Sequence, residues 1–387
     1  MKRIHLDERP HWRDQAEHLG FIYHTEDGDR YWDESRAYVF TMQQIEDDLE
    51  DPTDELYELC LDVVDRVVAN EEWLTKLAIP DLYWDWIRQS WTDKELSLYG
   101  RFDLAYDGSA PAKLLEFNAD TPTALYEAGT FQWVWFEDQM ERGVIPRDSD
   151  QFNSVHDRMV DRFKAMFEPG SHLHFSCCKG TIEDRATVEY IQDCATQTGI
   201  EGHFVYIEDV GVDNQGRFAD LDGVVIDNWF KLYPYEDMFR ERFGPFLPVS
   251  GAKLIEPPWK AILSNKGILP LLWQIFPGHP NLLPAYFEDD APADTIGSGF
   301  VRKPLFSREG ANVEIYRPGQ PPFVTPGGYG AEGWIVQSYQ PIPAFEGDYT
   351  VIGSWVIGDE AAGIGIREDS TLITRDLSRF VPHVILS

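Results

Sequence analysis

The sequence predicts a mixed α+β / α/β protein, and three features of its patterning predict it. Apolar residues follow helical spacing through roughly the first hundred positions, the period changes to two near Leu98, and helix-like and strand-like segments alternate between Ser154 and Leu232. With 387 residues, 43% of them hydrophobic and 14% aromatic, the chain has the material for a large core and is not a disordered polymer.

In the helical part, Leu56, Leu59, Cys60, Val63, Val64, Val67 and Val68 make one apolar stripe. Asp51 is the expected N-cap of that helix and Pro52 its first residue. Beyond Leu98, alternation puts Arg101 and Asp103 on one face of a strand and Phe102 and Leu104 on the other. Asp107-Gly108 signals a turn, and the next strand sets Glu116 and Asn118 against Leu115 and Phe117. An antiparallel hairpin of this kind gathers four polar groups on one face.

Further along, a helix through Val155, Met159, Phe163 and Met166, a strand from His172 to Cys177, a helix from about Ile182 to Thr198, and strands near His203 and Val224 read as a parallel α/β layer. The segment from Glu256 to Phe287 reads as helical, and strands dominate after Gly299. No repeat, low-complexity tract or flexible linker divides the chain.

Acidic residues outnumber basic ones by 67 to 33, for a formal charge of −34. Such a field repels nucleic-acid phosphates and anionic lipid alike, so neither nucleic acid nor membrane is expected as a partner. The first residues lack a secretory apolar stretch, and no later run is long enough to span a bilayer, which predicts a cytoplasmic protein. Cys60, Cys177, Cys178 and Cys194 show neither metal-ligand spacing nor disulfide density and read as reduced thiols.

Two constellations carry chemistry. Asp103, Glu116 and Asn118 offer the hard oxygen donors that magnesium prefers, and Arg101 beside them has the planar fork that matches phosphate or carboxylate. The same alternation also describes an ordinary solvated hairpin face, and spacing does not separate the two. The second constellation runs from Ser298 to Gly310, with Lys303 on a strand and Arg308 before a glycine-containing loop. A lysine below such a loop holds nucleotide phosphates in many proteins, whereas ordinary surface bases at a strand end are the commoner reading of such a segment taken alone. Neither the P-loop nor the dinucleotide-binding glycine fingerprint occurs. The Gly/Pro-rich stretch from Pro318 to Gly333 has the composition either of a flap that closes over a site or of a plain connection.

Taken in order, Tyr99-Gly-Arg-Phe-Asp103, Glu116-Phe-Asn-Ala-Asp-Thr121, Ser264-Asn-Lys266, Val301-Arg-Lys-Pro304 with Ser307-Arg-Glu-Gly310, and Gly365-Ile-Arg-Glu368 resemble the ATP-grasp synthetase part of glutathionylspermidine synthase and its stand-alone relatives. The resemblance runs over nearly the whole chain. It implies an ATP-grasp-like fold with rearranged chain order, in which metal-side residues precede the nucleotide lysines. It also implies three sub-parts: 1–150 as helical scaffold plus metal-binding hairpin, 151–250 as an α/β substrate-side layer, and 251–387 with the ATP-binding lysines, a flap and C-terminal strands.

By position, the resemblance assigns Asp103, Glu116 and Asn118 to Mg2+, Arg101 to the transferred phosphoryl group and acyl carboxylate, and Lys266, Lys303, Gln337 and Arg367 to ATP. Thr121, Thr123 and Arg308 fall where the family contacts its acid substrate. The implied activity is ATP-dependent amide formation between a peptide-like, glutathione-like acid and a polyamine-like amine, through an acyl phosphate. That route needs no enzyme nucleophile, consistent with the lack of a recognisable catalytic triad.

The family's bifunctional members carry an N-terminal Cys/His amidase. This chain begins at the synthetase part, so hydrolysis of its product is not expected. The alternatives are another acid and amine, a non-catalytic nucleotide- or peptide-binding protein, or a carbohydrate-active enzyme prompted by 13 Trp residues that show no platform spacing. Glu183 and Asp184, at the start of a helix, suit an amine and suit capping of that helix equally.

Overall fold

The computed structural model describes residues 1–26, 28–292, 299–375 and 378–386. Ser298, the first residue of the lysine-bearing constellation, lies outside the described residues.

The apolar stripe forms the helix Asp51–Val68, with Leu56, Cys60, Val63, Val64 and Val67 fully buried. Its beginning differs from the expectation. The helical path starts at Thr41, whose side chain and that of Gln44 cap each other's backbone N–H, and passes through a wide π turn, Glu46–Glu50, before Asp51. Asp51 is therefore not an N-cap. The widened turn explains how Pro52 sits within a continuous helical path, because proline tolerates the first α-turn but not a tight preceding ladder.

Three sheets position the site. The first is antiparallel and six-stranded, running Arg379–Val381, Glu360–Asp369, Asp348–Ile357, Tyr99–Ala105 and Lys113–Asn118, with Ala344–Phe345 also on Asp348–Ile357. The expected hairpin is its edge, in the register Arg101 opposite Asn118 and Asp103 opposite Glu116. One detail corrects the alternation: a bulge pairs Leu104 with Leu114, so Leu115 is the extra residue. Leu114 packs in the core, while Leu115 joins the polar side instead of lying beside Phe117.

The second sheet is parallel and four-stranded, in the order Lys253–Ile255, Asn228–Leu232, His172–Cys177, Glu201–Phe204, and it is accompanied by the helices Val155–Met166 and Ile182–Thr196. The strand expected near Val224 is Asn228–Leu232. Around Val224 the Asp220 carboxylate accepts the backbone N–H groups of Asp222 and Val224, and Gly223 adopts φ +80°, which makes a turn. The third sheet is antiparallel and five-stranded, Ala285–Phe287, Trp334–Ser338, Phe300–Pro304, Glu314–Tyr316, Phe323–Val324. The Glu256–Phe287 segment is helical only at Lys260–Leu263 and Ile268–Ile275, and it ends in the strand Ala285–Phe287.

Two hydrophobic clusters fill the spaces between layers, and Trp12, Trp32, Trp135, Trp229, Trp259 and Trp355 are buried in them. Their role is packing, as the lack of platform spacing implies. The four cysteines are free thiols. Among the described residues, no helix is long and apolar enough to cross a membrane.

Candidate active site

The three sheets leave a cavity of about 490 Å³ between them. The hairpin and Arg367 form one wall, the five-stranded sheet supplies Val301, Lys303, Ile315 and Gln337, and the carboxyl ends of the parallel strands supply Leu232 and Cys178. Carboxyl ends of parallel strands are where α/β sheets bind ligands, since the loops that follow are free to vary. Arg101, Asp103, Glu116, Asn118, Thr121, Thr123, Lys266, Lys303, Arg308, Gln337 and Arg367 all line this one cavity. Residues far apart in sequence are thus brought together.

The hairpin face is a sunken charge network, not a solvated surface. Arg101 is buried over the Trp355 ring and forks onto Asp103 through Nε and Nη2 at 2.7 and 3.2 Å, with Nη1 donating to the Thr123 carbonyl at 2.6 Å. Burial disfavours the guanidinium, but Asp103, together with Glu116 and Tyr31, more than offsets it and raises the Arg101 pKa. Arg367 reaches the same carboxylate at 3.1 Å. Asn118 points its amide at both Asp103 and Glu116, at 3.3 and 3.5 Å.

Two lysines face this group from the other side. Asn265 donates to the Leu77 carbonyl and accepts from the Gly267 N–H, which pins the loop that presents Lys266. Lys266 lies 3.2 Å from Glu116 and donates to the Ser307 carbonyl at 2.8 Å. Lys303 donates to the Leu115 carbonyl at the bulge and to Gln337 Oε1, both at 2.8 Å, while Gln337 Nε2 donates to Leu114 at 3.0 Å. Burial pulls the Lys303 ammonium down to about 8 against the opposing pull of Glu116. For Glu116, burial favours the neutral acid, yet Lys266 and Lys303 outweigh it and hold the carboxyl well below the usual range.

Arg308 donates to Thr121 Oγ1 at 2.6 Å and to Glu236 Oε1 at 2.9 Å. Glu236 gave no pattern in the sequence by which to find it. Asp120 is different, because it stands inside the Glu116–Thr121 motif: it is buried, accepts the Tyr235 N–H at 3.0 Å and pairs with Lys231. Tyr31 also lines the cavity and donates to the buried Glu127 at 2.6 Å. Glu183 and Asp184 line the cavity from the first turn of their helix. The Pro318–Gly333 stretch runs between strands, tied back where Thr325 Oγ1 donates to the Gly310 carbonyl and Asn312 Oδ1 accepts the Tyr329 N–H, and it is not among the residues lining the cavity.

Residues 3–386 match the family model for the glutathionylspermidine synthase pre-ATP-grasp region. The chain belongs to the glutathionylspermidine synthase family. Members of this family are ATP-dependent synthetases, and the chain is an enzyme of that class, an acid–amine ligase. It is 39% identical to a Haemophilus influenzae protein assigned by name as an acid–amine ligase, over 99% of each chain. Identity to the trypanothione synthetase of Crithidia fasciculata is 28%, covering 83% of this chain and 52% of that one. The bifunctional glutathionylspermidine synthetase/amidase of Escherichia coli is 24% identical, over 97% of this chain and 63% of that one. A glutathione synthetase-like effector from Globodera pallida shares the fold, with a TM-score of 0.50 at 9% identity and coverage of 86% and 88%.

Proposed function

We propose that this glutathionylspermidine synthase-family ligase joins a peptide-like, glutathione-like carboxylate to a polyamine-like amine through an acyl phosphate. The observation that carries this reading is the single cavity in which Lys266, Lys303, Arg101, Arg367 and Arg308 surround the oxygen donors Asp103, Glu116 and Asn118. An acyl-phosphate route needs this composition, because several phosphate charges must be neutralised within reach of a carboxylate.

The donors suit magnesium. Three oxygen-bearing side chains converge, with Asn118 in reach of both carboxylates. A half-turn of its amide presents Oδ1 to a cation in place of Nδ2. Magnesium held by Asp103, Glu116 and Asn118 would neutralise phosphate oxygens and polarise them toward attack.

The chain's own residues supply the rest. Lys266 and Lys303 hold the β- and γ-phosphates, with Gln337 fixing the direction of Lys303. Arg367 adds charge beside Asp103, and Arg308, Thr121 and Thr123 orient the acid. Arg101 faces the phosphoryl group as the carboxylate oxygen forms its bond to phosphorus and the bond to ADP breaks. A neutral amine then attacks the acyl carbon, phosphate leaves, and the nitrogen gives up a proton.

The test is ADP release with glutathione and other short peptides, each with and without spermidine and other amines, and with hydroxylamine as a trapping amine. The reading expects release that needs an acid, a hydroxamate of that acid with hydroxylamine, and loss of both on chelating magnesium. ADP release with no hydroxamate from any acid would overturn the acyl phosphate.

A further inference from the structure

The end of the parallel sheet remote from the cavity carries a second cluster. His172 and Glu201 are cross-strand partners on the adjacent strands His172–Cys177 and Glu201–Phe204, and His203 follows two residues after Glu201. One ligand atom from each of the three lies within 4.8 Å of the other two. The cavity receives Cys178 and Thr181 from beyond the opposite end of the same strand, roughly 16 Å away at the usual rise per residue. Nothing in the ligase reaction uses these histidines.

We infer that His172, Glu201 and His203 form a surface site for a divalent transition-metal ion of the zinc, cobalt and nickel group. The separations carry the inference. Two donors about 2.05 Å from a tetrahedral ion lie about 3.3 Å apart. His172 Nδ1 is 2.9 Å from His203 Nε2 and 3.5 Å from Glu201 Oε2, values on either side of that spacing. Two imidazole nitrogens and a carboxylate oxygen are a borderline donor set that suits these ions and does not suit magnesium.

Supporting contacts hold the geometry. The two rings stack at 22°, and the His203 ring also lies 5.1 Å from the buried His174, whose Nε2 is 3.4 Å from Asp220. Asn228 donates to the His172 carbonyl at 3.0 Å from the strand on the other side. Three protein donors leave a fourth position for water. The ion would pin Glu201–Phe204, the edge strand of its sheet, to its neighbour.

The experiment titrates Co2+ into the full chain, freed of metal by chelation and held in excess Mg2+, and follows the visible bands of tetrahedral cobalt. Zinc then competes, and the melting temperature is read with and without it. The expected result is one equivalent of cobalt bound at micromolar concentration, displaced by zinc, with a zinc-dependent rise in melting temperature. All three effects disappear in the His172→Ala/His203→Ala variant, whose ADP release stays at the wild-type rate. Because both side chains are exposed, that variant keeps its fold. No tetrahedral bands, saturation only at millimolar cobalt, or bands that persist in the double variant would overturn the site.

Discussion

Arg101 and Lys303 show how burial sets the properties of single residues in this site. Arg101 donates to Asp103 and the Thr123 carbonyl and sits over the Trp355 ring, so its fork is already oriented before any phosphate arrives. Arg101→Ala should therefore lower kcat by a factor on the order of 100 in a steady-state ADP-release assay, and near-normal turnover would remove it from the mechanism. Lys303 makes a pH prediction. Its pKa falls from 10.5 to about 8 through burial, with Glu116 and Asp103 opposing and Lys266 adding to the fall. Below pH 8 both folded and unfolded chains hold the proton. Between about 8 and 10.5 only the unfolded chain does, so this group makes stability rise with pH across that window. The phosphate contact proposed for Lys303 runs the other way, since it needs the ammonium. The KM for ATP should climb as pH passes about 8, and Lys303→Arg, which keeps its charge, should flatten that climb. A pH-independent KM in the wild type would exclude the role.

At the level of elements, period-two alternation made the hairpin legible, because a polar face on a strand is visible whether it meets solvent or a cavity. Its depth was not legible, since alternation says nothing about what covers the face. The bulge at Leu115 was hidden for a related reason: one extra residue leaves both flanking patterns intact and changes only which carbonyl is free, here the one that Lys303 uses. The cap at Thr41 was masked by the stronger Asp51-Pro52 signal, and the strand placed near Val224 lost to the turn that Asp220 organises. The central strand Asp348–Ile357 contributes in a way that only packing reveals. Gly353 stands opposite Asp103, and a Cβ there would lie 2.7 Å from Arg101 Cδ. This glycine lets the Arg101 side chain cross the sheet. Gly353→Ala should displace the guanidinium and lower kcat by up to about 100-fold, and it should also lower the melting temperature, because the Arg101–Asp103 pair that it disturbs is buried. An unchanged kcat would mean that Arg101 can reach its position by another path.

At the level of the whole molecule, the hairpin of the six-stranded sheet and the parallel layer must stay in register for the cavity to exist. One buried ion pair crosses that boundary. Asp120, just past the hairpin, pairs with Lys231 on the strand Asn228–Leu232 and accepts the Tyr235 N–H, and both partners are shielded from solvent. Burial pulls the Lys231 pKa below its ordinary value, and the Asp120 carboxylate only partly restores it. Such a pair contributes little net stability when intact, but removing one member strands the other without compensation. Lys231→Ala should thus cost about 3–5 kcal/mol in urea unfolding, enough to threaten a chain of ordinary stability. The combination Asp120→Asn with Lys231→Met should recover much of that loss, because it removes both charges and keeps an acceptor for the Tyr235 N–H. Activity separates registration from mere stability. If the pair aligns the layers, the recovered double variant will fold and still release ADP slowly, with a raised KM for the acid, since Thr121 follows Asp120 directly. If it turns over normally, the pair serves stability alone and other contacts hold the walls of the site in place.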